Sequence, residues 1–159
     1  MRSSDDVAQN IRAASDLIRE AAGQGARFIA TPENTNLMAP NAAAKLAKSF
    51  DEAHDPALPV FSDLAQELKI WLVIGSLAIK VSPDKTANRS YLFAPDGGIA
   101  ARYSKIHLFD AVLGSGEAYR ESNTVAGGSE AVIADTALGR IGLTVCYDMR
   151  FPQLYRMLA

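Results

Sequence analysis

An α/β sandwich, with helices packed on a sheet face, is the fold class that this sequence predicts. Three observations carry that reading. Apolar residues recur at helical spacing near the N-terminus, and short apolar runs bounded by glycine and proline follow. The two patterns then succeed one another in the order helix, strand, helix, helix, strands, helix.

The first helix rests on Val7, Ile11, Ala14, Leu17, Ile18 and Ala21, with Ser3 and Ser4 before it and Gly23 as its stop. Arg27 to Thr31 is a short apolar run between Gly25 and Pro32 and reads as a buried strand. A loop from about Asn34 to Pro40 leads to an Ala- and Lys-rich helix over Asn41 to Phe50. Pro59 opens another helix, with Val60, Leu64 and Leu68 at steps of four. Ile70 to Ile79 is the strongest strand signal, closed by Ser82-Pro83-Asp84. Arg89 to Phe93 and Ile99 to Tyr103 are two further strands joined by the turn Pro95-Asp96-Gly97-Gly98, so the middle of the chain reads as a meander. Phe109 to Ser129 is a long Gly-rich and polar loop, a length that points to function. Ala131 to Thr136 and Ile141 to Cys146 are strands joined across Leu138-Gly139, and Pro152 opens a last helix.

With 159 residues, 48% hydrophobic and 21% charged, the chain suits a single domain over residues 1–159. A net charge of -2 gives no basis for a nucleic-acid or anionic-membrane partner. No apolar run is long enough to span a bilayer, and MRSSDDVAQN lacks the apolar stretch of a secretory signal. The one cysteine excludes an internal disulfide and makes the cytoplasm the expected location. Asn88-Arg89-Ser90 fits the glycosylation pattern, a match common by chance.

Three residues carry candidate chemistry. Cys146 stands where an apolar strand breaks toward a helix opened by Pro152, a place where backbone N–H groups favour a thiolate and a developing oxyanion. Lys105, at a strand end, sets an ammonium beside a reacting carbonyl, and Glu33 follows a buried strand as a candidate general base. The competing readings are a small core thiol, a surface lysine and a loop or capping carboxylate. All three fall at carboxyl ends of strands, where open α/β sheets place ligands. A nucleophile, a base and a cation are the parts that amide hydrolysis by a thiol requires. His107, two residues from Lys105, is the rival base and reads better as a loop-ordering residue, while His54 lies in a polar, exposed stretch. Two isolated histidines without a cysteine pair make a poor metal site. Arg150, four residues after Cys146, is a candidate clamp for a substrate carboxylate, or else a salt-bridge partner of Asp148 or another loop charge.

Pro32-Glu33-Asn34, Lys105-Ile-His-Leu-Phe-Asp110 and Gly142-Leu-Thr-Val-Cys-Tyr-Asp-Met-Arg-Phe-Pro152 resemble the three signature regions of the nitrilase, or carbon–nitrogen hydrolase, superfamily. The likeness runs over the whole chain and is strongest to the Nit-type amidases, which include deaminated glutathione amidase and omega-amidase. It implies an αββα sandwich and a Glu-Lys-Cys triad, with Glu33 as general base, Lys105 steadying the tetrahedral intermediate and Cys146 as nucleophile. It implies Glu121 as a second glutamate holding the lysine or the substrate, with Glu117 as the fallback, and the backbone N–H of Tyr147 as the second oxyanion donor. No metal and no organic cofactor is expected. The expected substrate is a small amide bearing a carboxylate, hydrolysed through a thioester with release of ammonia. A carbamoyl-amide or nitrile hydrolase and a non-catalytic remnant are the alternatives. Against the resemblance the chain reads as a fragment, without an N-terminal strand and the C-terminal half of the sandwich. The full-length form is expected to be a homo-oligomer, most simply a dimer.

Overall fold

The computed structural model describes residues 1–159. Helix α1 (Val7–Gly23) is capped by Asp6, whose Oδ1 accepts from the Gln9 N–H at 2.9 Å. Neither Ser3 nor Ser4 takes that place; Ser4 is tied instead to Asn10, with its N–H 2.8 Å from Asn10 Oδ1. Ile11, Ala14 and Ile18 form the buried stripe of α1. Strand β1 (Phe28–Ala30) then runs parallel to β2 (Trp71–Lys80), and such a pair needs a crossover. Helices α2 (Ala42–Lys48) and α3 (Ala57–Leu68) supply it.

Helix α3 starts two residues before Pro59, because Asp55 Oδ1 accepts from the Ala57 N–H at 2.8 Å. Pro59 sits in the first turn, where a missing N–H costs nothing. The face turned inward is Leu58, Phe61, Leu64 and Ala65, whereas Val60 is exposed.

The meander is β2, β3 (Thr86–Phe93) and β4 (Ile99–Ser104), paired antiparallel in that order. Leu72 and Ile74 of β2 face α1 and α3, while Trp71 and Val73 face the other way. A bulge between Ile74 and Leu77 reverses the alternation, which returns Leu77 and Ile79 to the helix side. One core therefore lies between α1, α3 and the sheet. A smaller one joins Leu92 and Tyr103 to Ala134, Leu143 and Val145, from the hairpin of β8 (Val132–Thr136) and β9 (Gly139–Leu143) and the stretch after it.

The segment read as one long loop is structured. It holds a short hairpin, β5 (Asp110–Val112) with β6 (Ala118–Arg120), a 3₁₀ turn over Glu121–Asn123, and β7 (Val125–Ala126) parallel to the start of β3. Strands of two or three residues leave no measurable alternation, so the sequence does not signal them. Beyond β9, a second 3₁₀ turn (Cys146–Arg150) leads into α4 (Pro152–Leu158).

Gly75, inside the β2 bulge, is needed for close approach. A Cβ there would collide with the Thr31 carbonyl and the Pro32 backbone, which cross directly over it. Gly75→Ala is expected to destabilise the chain by about 1–3 kcal/mol and to lift the segment carrying Glu33. Urea unfolding checks it, and an unchanged midpoint would refute the packing argument.

Candidate active site

The turn after β1 is fastened to the β2 bulge residue by residue. Thr31 Oγ1 accepts from the Gly75 N–H at 3.1 Å, and the Asn34 N–H donates to Ser76 Oγ at 2.8 Å. The Thr35 N–H donates to the Ser76 carbonyl at 2.9 Å, and the Ala78 N–H donates to Asn36 Oδ1 at 2.9 Å. Asn34 adopts a left-handed φ of 54, a conformation that asparagine tolerates better than most residues. Glu33 is thus carried by a short turn tied to β2 on both sides.

Lys105 follows the last residue of β4, and its N–H donates to the Asn88 carbonyl at 2.9 Å. The whole residue is buried, only 2% exposed. Its Nζ donates to Glu121 Oε2 at 3.0 Å and to Glu33 Oε1 at 3.3 Å. Burial lowers the ammonium's pKa, but the Glu121 hydrogen bond and the charges of Glu33, Glu121 and Cys146 outweigh it, and the net shift is upward. Glu121 is itself fixed, since its Oε2 accepts from the Phe109 N–H at 2.6 Å. Glu117 lies at the exposed tip of the β5–β6 hairpin, away from these contacts.

Asn88 was not singled out as a functional residue by the sequence. It is buried on β3, and its Nδ2 donates to Glu33 Oε1 at 2.6 Å. Its Oδ1 has no partner, so the carboxylate is what orients the amide. The signal available in the sequence was a polar residue inside an otherwise buried strand. The glycosylation pattern at Asn88 falls in that strand, where no glycan could reach it.

Cys146 is exposed and free, at the first position of its 3₁₀ turn, with a left-handed φ of 48. Asp148 builds this turn. It is fully buried, and it accepts from Tyr103 Oη at 2.6 Å, the Val145 N–H at 2.9 Å and the His107 N–H at 3.0 Å. His107 Nδ1 lies 2.8 Å from Asp148 Oδ1, and its ring stacks on Phe151 with centroids 3.7 Å apart. His107 therefore orders the turn. Tyr147 occupies the first turn of this 3₁₀ segment, where leading N–H groups lack partners within the helix. Arg150 is exposed at the end of the same segment and makes no ion pair with Asp148, whose oxygens are already taken.

Burial acts to raise the Asp148 pKa, but the bonds from Tyr103, Val145 and His107 prevail and hold it below the ordinary 3.8. A carboxylate with a depressed pKa stabilises the fold above its unfolded value, and that contribution is lost as pH falls through the native one. Asp148→Asn is therefore expected to weaken the chain at pH 7 and to remove part of its loss of stability below about pH 4. Urea unfolding at several pH values checks this; a constant offset at all pH values would refute it.

Glu33, Lys105, Glu121 and Cys146 line one open cavity of about 660 Å³, together with Asn34 and Arg120. Met38, Phe109 and Tyr119 supply its apolar wall. The structure places Arg150 outside this lining. Burial and then the Glu33 charge push the Cys146 thiol's pKa up, against the smaller downward pull of Lys105. The turn's N–H groups are one influence on the sulfur, but the facing carboxylate outweighs the cation. Lys45 of α2 adds a cation that the sequence did not flag; its Nζ donates to Asn34 Oδ1 at 3.1 Å, and burial lowers its pKa. No three His, Cys, Asp or Glu side chains converge in a way that would hold a metal ion. No helix is long and apolar enough to cross a membrane.

The carbon-nitrogen hydrolase family model matches residues 1–159. A deaminated glutathione amidase of Yersinia enterocolitica is 38% identical over 137 residues, covering 84% of this chain and 48% of that protein. The human omega-amidase NIT2 is 35% identical over 154 residues, covering 94% of this chain and 53% of that protein. Among solved structures, the C. elegans NitFhit protein superposes with a TM-score of 0.86 at 30% identity, over 97% of this chain and 38% of that one. The chain spans about half the length of the curated relatives it matches. The αββα-type arrangement of helices and mixed sheet agrees with these neighbours. On the family match and the shared fold, the chain belongs to the carbon-nitrogen hydrolase family.

Proposed function

We propose that this chain carries the catalytic centre of an amidase acting on a small linear amide with a carboxylate, through a cysteine thioester, with release of ammonia. One observation carries the reading: a buried lysine held between two carboxylates shares a cavity with an exposed thiol. Names of relatives such as deaminated glutathione amidase and omega-amidase support an amide as the substrate. One domain over residues 1–159 holds every group the reaction needs.

Burial and the Glu33 charge favour the neutral form of the Cys146 thiol, so the attack calls for a base. Glu33 takes the S–H proton as the sulfur–carbon bond forms. The amide oxygen becomes negative and is met by the Lys105 ammonium and the Tyr147 N–H. Collapse breaks the carbon–nitrogen bond, and Glu33 passes its proton to the leaving ammonia. Water then attacks the thioester while Glu33 accepts its proton. The sulfur–carbon bond breaks, Glu33 passes that proton to the leaving sulfur, and the acid, the free thiol and the Glu33 carboxylate are restored. Asn88 and Lys105 both hold Glu33 Oε1, which leaves the other oxygen for these transfers. Glu121 anchors Lys105 throughout.

A free thiol of this kind is kept reduced in the cytoplasm, which supports that location. The whole protein is expected to be a homo-oligomer, most simply a dimer.

The test is ammonia release from succinamate, a carbamoyl amino acid and a small nitrile, each with and without hydroxylamine. Succinamate is expected to give ammonia, and hydroxylamine to divert the acid product to the hydroxamate, as an acyl-thioester requires. Preference for the carbamoyl compound or the nitrile would favour those alternatives. No ammonia from any of them, with a folded chain, would leave the non-catalytic reading.

A further inference from the structure

The cavity holds one guanidinium that makes no ion pair, although the Asp110 carboxylate lies near enough to feel its charge. Lys105 is committed to Glu33 and Glu121, and the amine of Lys45 is turned to Asn34. Arg89 and Arg102, on the neighbouring strands, share Glu52 at 2.5 and 2.6 Å. Arg120 lines the cavity itself, and its one polar contact is the carbonyl of Tyr119, 3.5 Å from Nη1. Its cross-strand partner Asp110 spends both oxygens on Ser122, at 3.0 and 2.5 Å.

The backbone that displays this guanidinium is fixed on both sides. Arg120 is paired with Asp110 in the β5–β6 hairpin, and the next residue is Glu121, which Phe109 and Lys105 lock in place. An arginine outside any ion pair, on an anchored strand that lines the same cavity as the nucleophile, suits a planar anion bound bidentately. The other charges of the cavity sharpen the choice. Glu33 and Glu121 stand beside the thiol and repel an anion from the reacting end. A carboxylate-bearing amide can then enter in one sense only. Its amide goes to Cys146, its methylenes lie along Met38, Phe109 and Tyr119, and its anion reaches Arg120.

We infer that Arg120 is the specificity-determining residue of this site and binds the substrate's carboxylate within the cavity that it shares with Cys146. This rests on the amidase reading above. Arg150, the cation that the sequence offered for the task, lies outside the lining.

The experiment measures binding, so that it does not depend on turnover. Succinamate and its methyl ester are titrated calorimetrically into the Cys146→Ala chain, with and without Arg120→Gln, Arg120→Lys or Arg150→Gln. Succinamate is expected to bind about tenfold or more tightly than the ester. Arg120→Gln should abolish that preference, and Arg120→Lys should keep part of it as a point charge without the fork. A preference that survives Arg120→Gln, or one lost in Arg150→Gln instead, would overturn the assignment while leaving the amidase reading intact. Binding of neither compound would overturn both.

Discussion

Cys146→Gly is expected to abolish amide hydrolysis and, at the same time, to stabilise the chain. The first half follows from the loss of the nucleophile, on the order of 10⁴-fold or more, since the remaining groups have no bond to make. The second half follows from the backbone. Cys146 holds a φ of 48, a region that costs an L-residue about 1–2 kcal/mol and glycine almost nothing. Glycine gives part of that back through the entropy of the unfolded chain, about 0.4–1 kcal/mol. The net gain is about 0.5–1 kcal/mol. Cys146→Ala supplies the control, because alanine removes the nucleophile and keeps the strain. Urea unfolding of the two variants checks the argument: a glycine variant no more stable than the alanine one would remove strain from the account of this turn. Such a turn trades stability for display of the sulfur.

Lys105→Met is expected to lower turnover by about 10²–10³-fold, the usual worth of one oxyanion donor. It is also expected to cost about 3–5 kcal/mol of stability, the range for removing one partner of a buried ion pair. Methionine fills the volume, but it leaves the carboxylates of Glu33 and Glu121 facing one another with only Asn88 and the Phe109 N–H between them and full repulsion. That repulsion relaxes when one of them takes up a proton, so the variant's deficit should shrink on acidification from pH 7 toward pH 5. In the native chain the sign is the reverse. The Lys105 pKa is raised above 10.5, so its contribution is complete below that value and is lost only in stronger alkali. Calorimetric melting at pH 5 and pH 7 checks the stability half. A deficit that does not change with pH would show that the two carboxylates are not coupled through Lys105.

The sequence made the large elements legible because their periods are long enough to be seen. Helix α1 repeats its apolar residues over four turns, and β2 is a ten-residue run with little else to be. Glu33, Lys105 and Cys146 could be singled out because each follows a strand and because the surrounding words match a family. What escaped notice depends on contacts across the fold. The bulge at Gly75, the Asn88 amide on Glu33 and the Asp148 bonds join residues far apart in the chain. The 3₁₀ turn at Cys146, where a strand had been expected to continue, is set by Asp148 reaching back to Val145 and across to Tyr103. The direction of the cysteine's pKa shift also needed the structure, since it depends on burial first and on the Glu33 charge second. Arg150 and Arg120 show the same limit. Proximity in sequence to the nucleophile favoured the first, and the hairpin hidden in the long loop presents the second.

Lys105 joins side chains 72 and 16 positions away, Asn88 reaches 55 positions to Glu33, and the His107–Asp148 contact spans 41. Bringing such distant segments together costs chain entropy before any contact offsets it, and folding slows as contacts become less local. Helix α1 and the β2–β3–β4 meander can form from neighbouring residues, but the reactive centre cannot. During refolding, helical signal should therefore return well before turnover, and the delay between the two would time the last long-range closure in the chain.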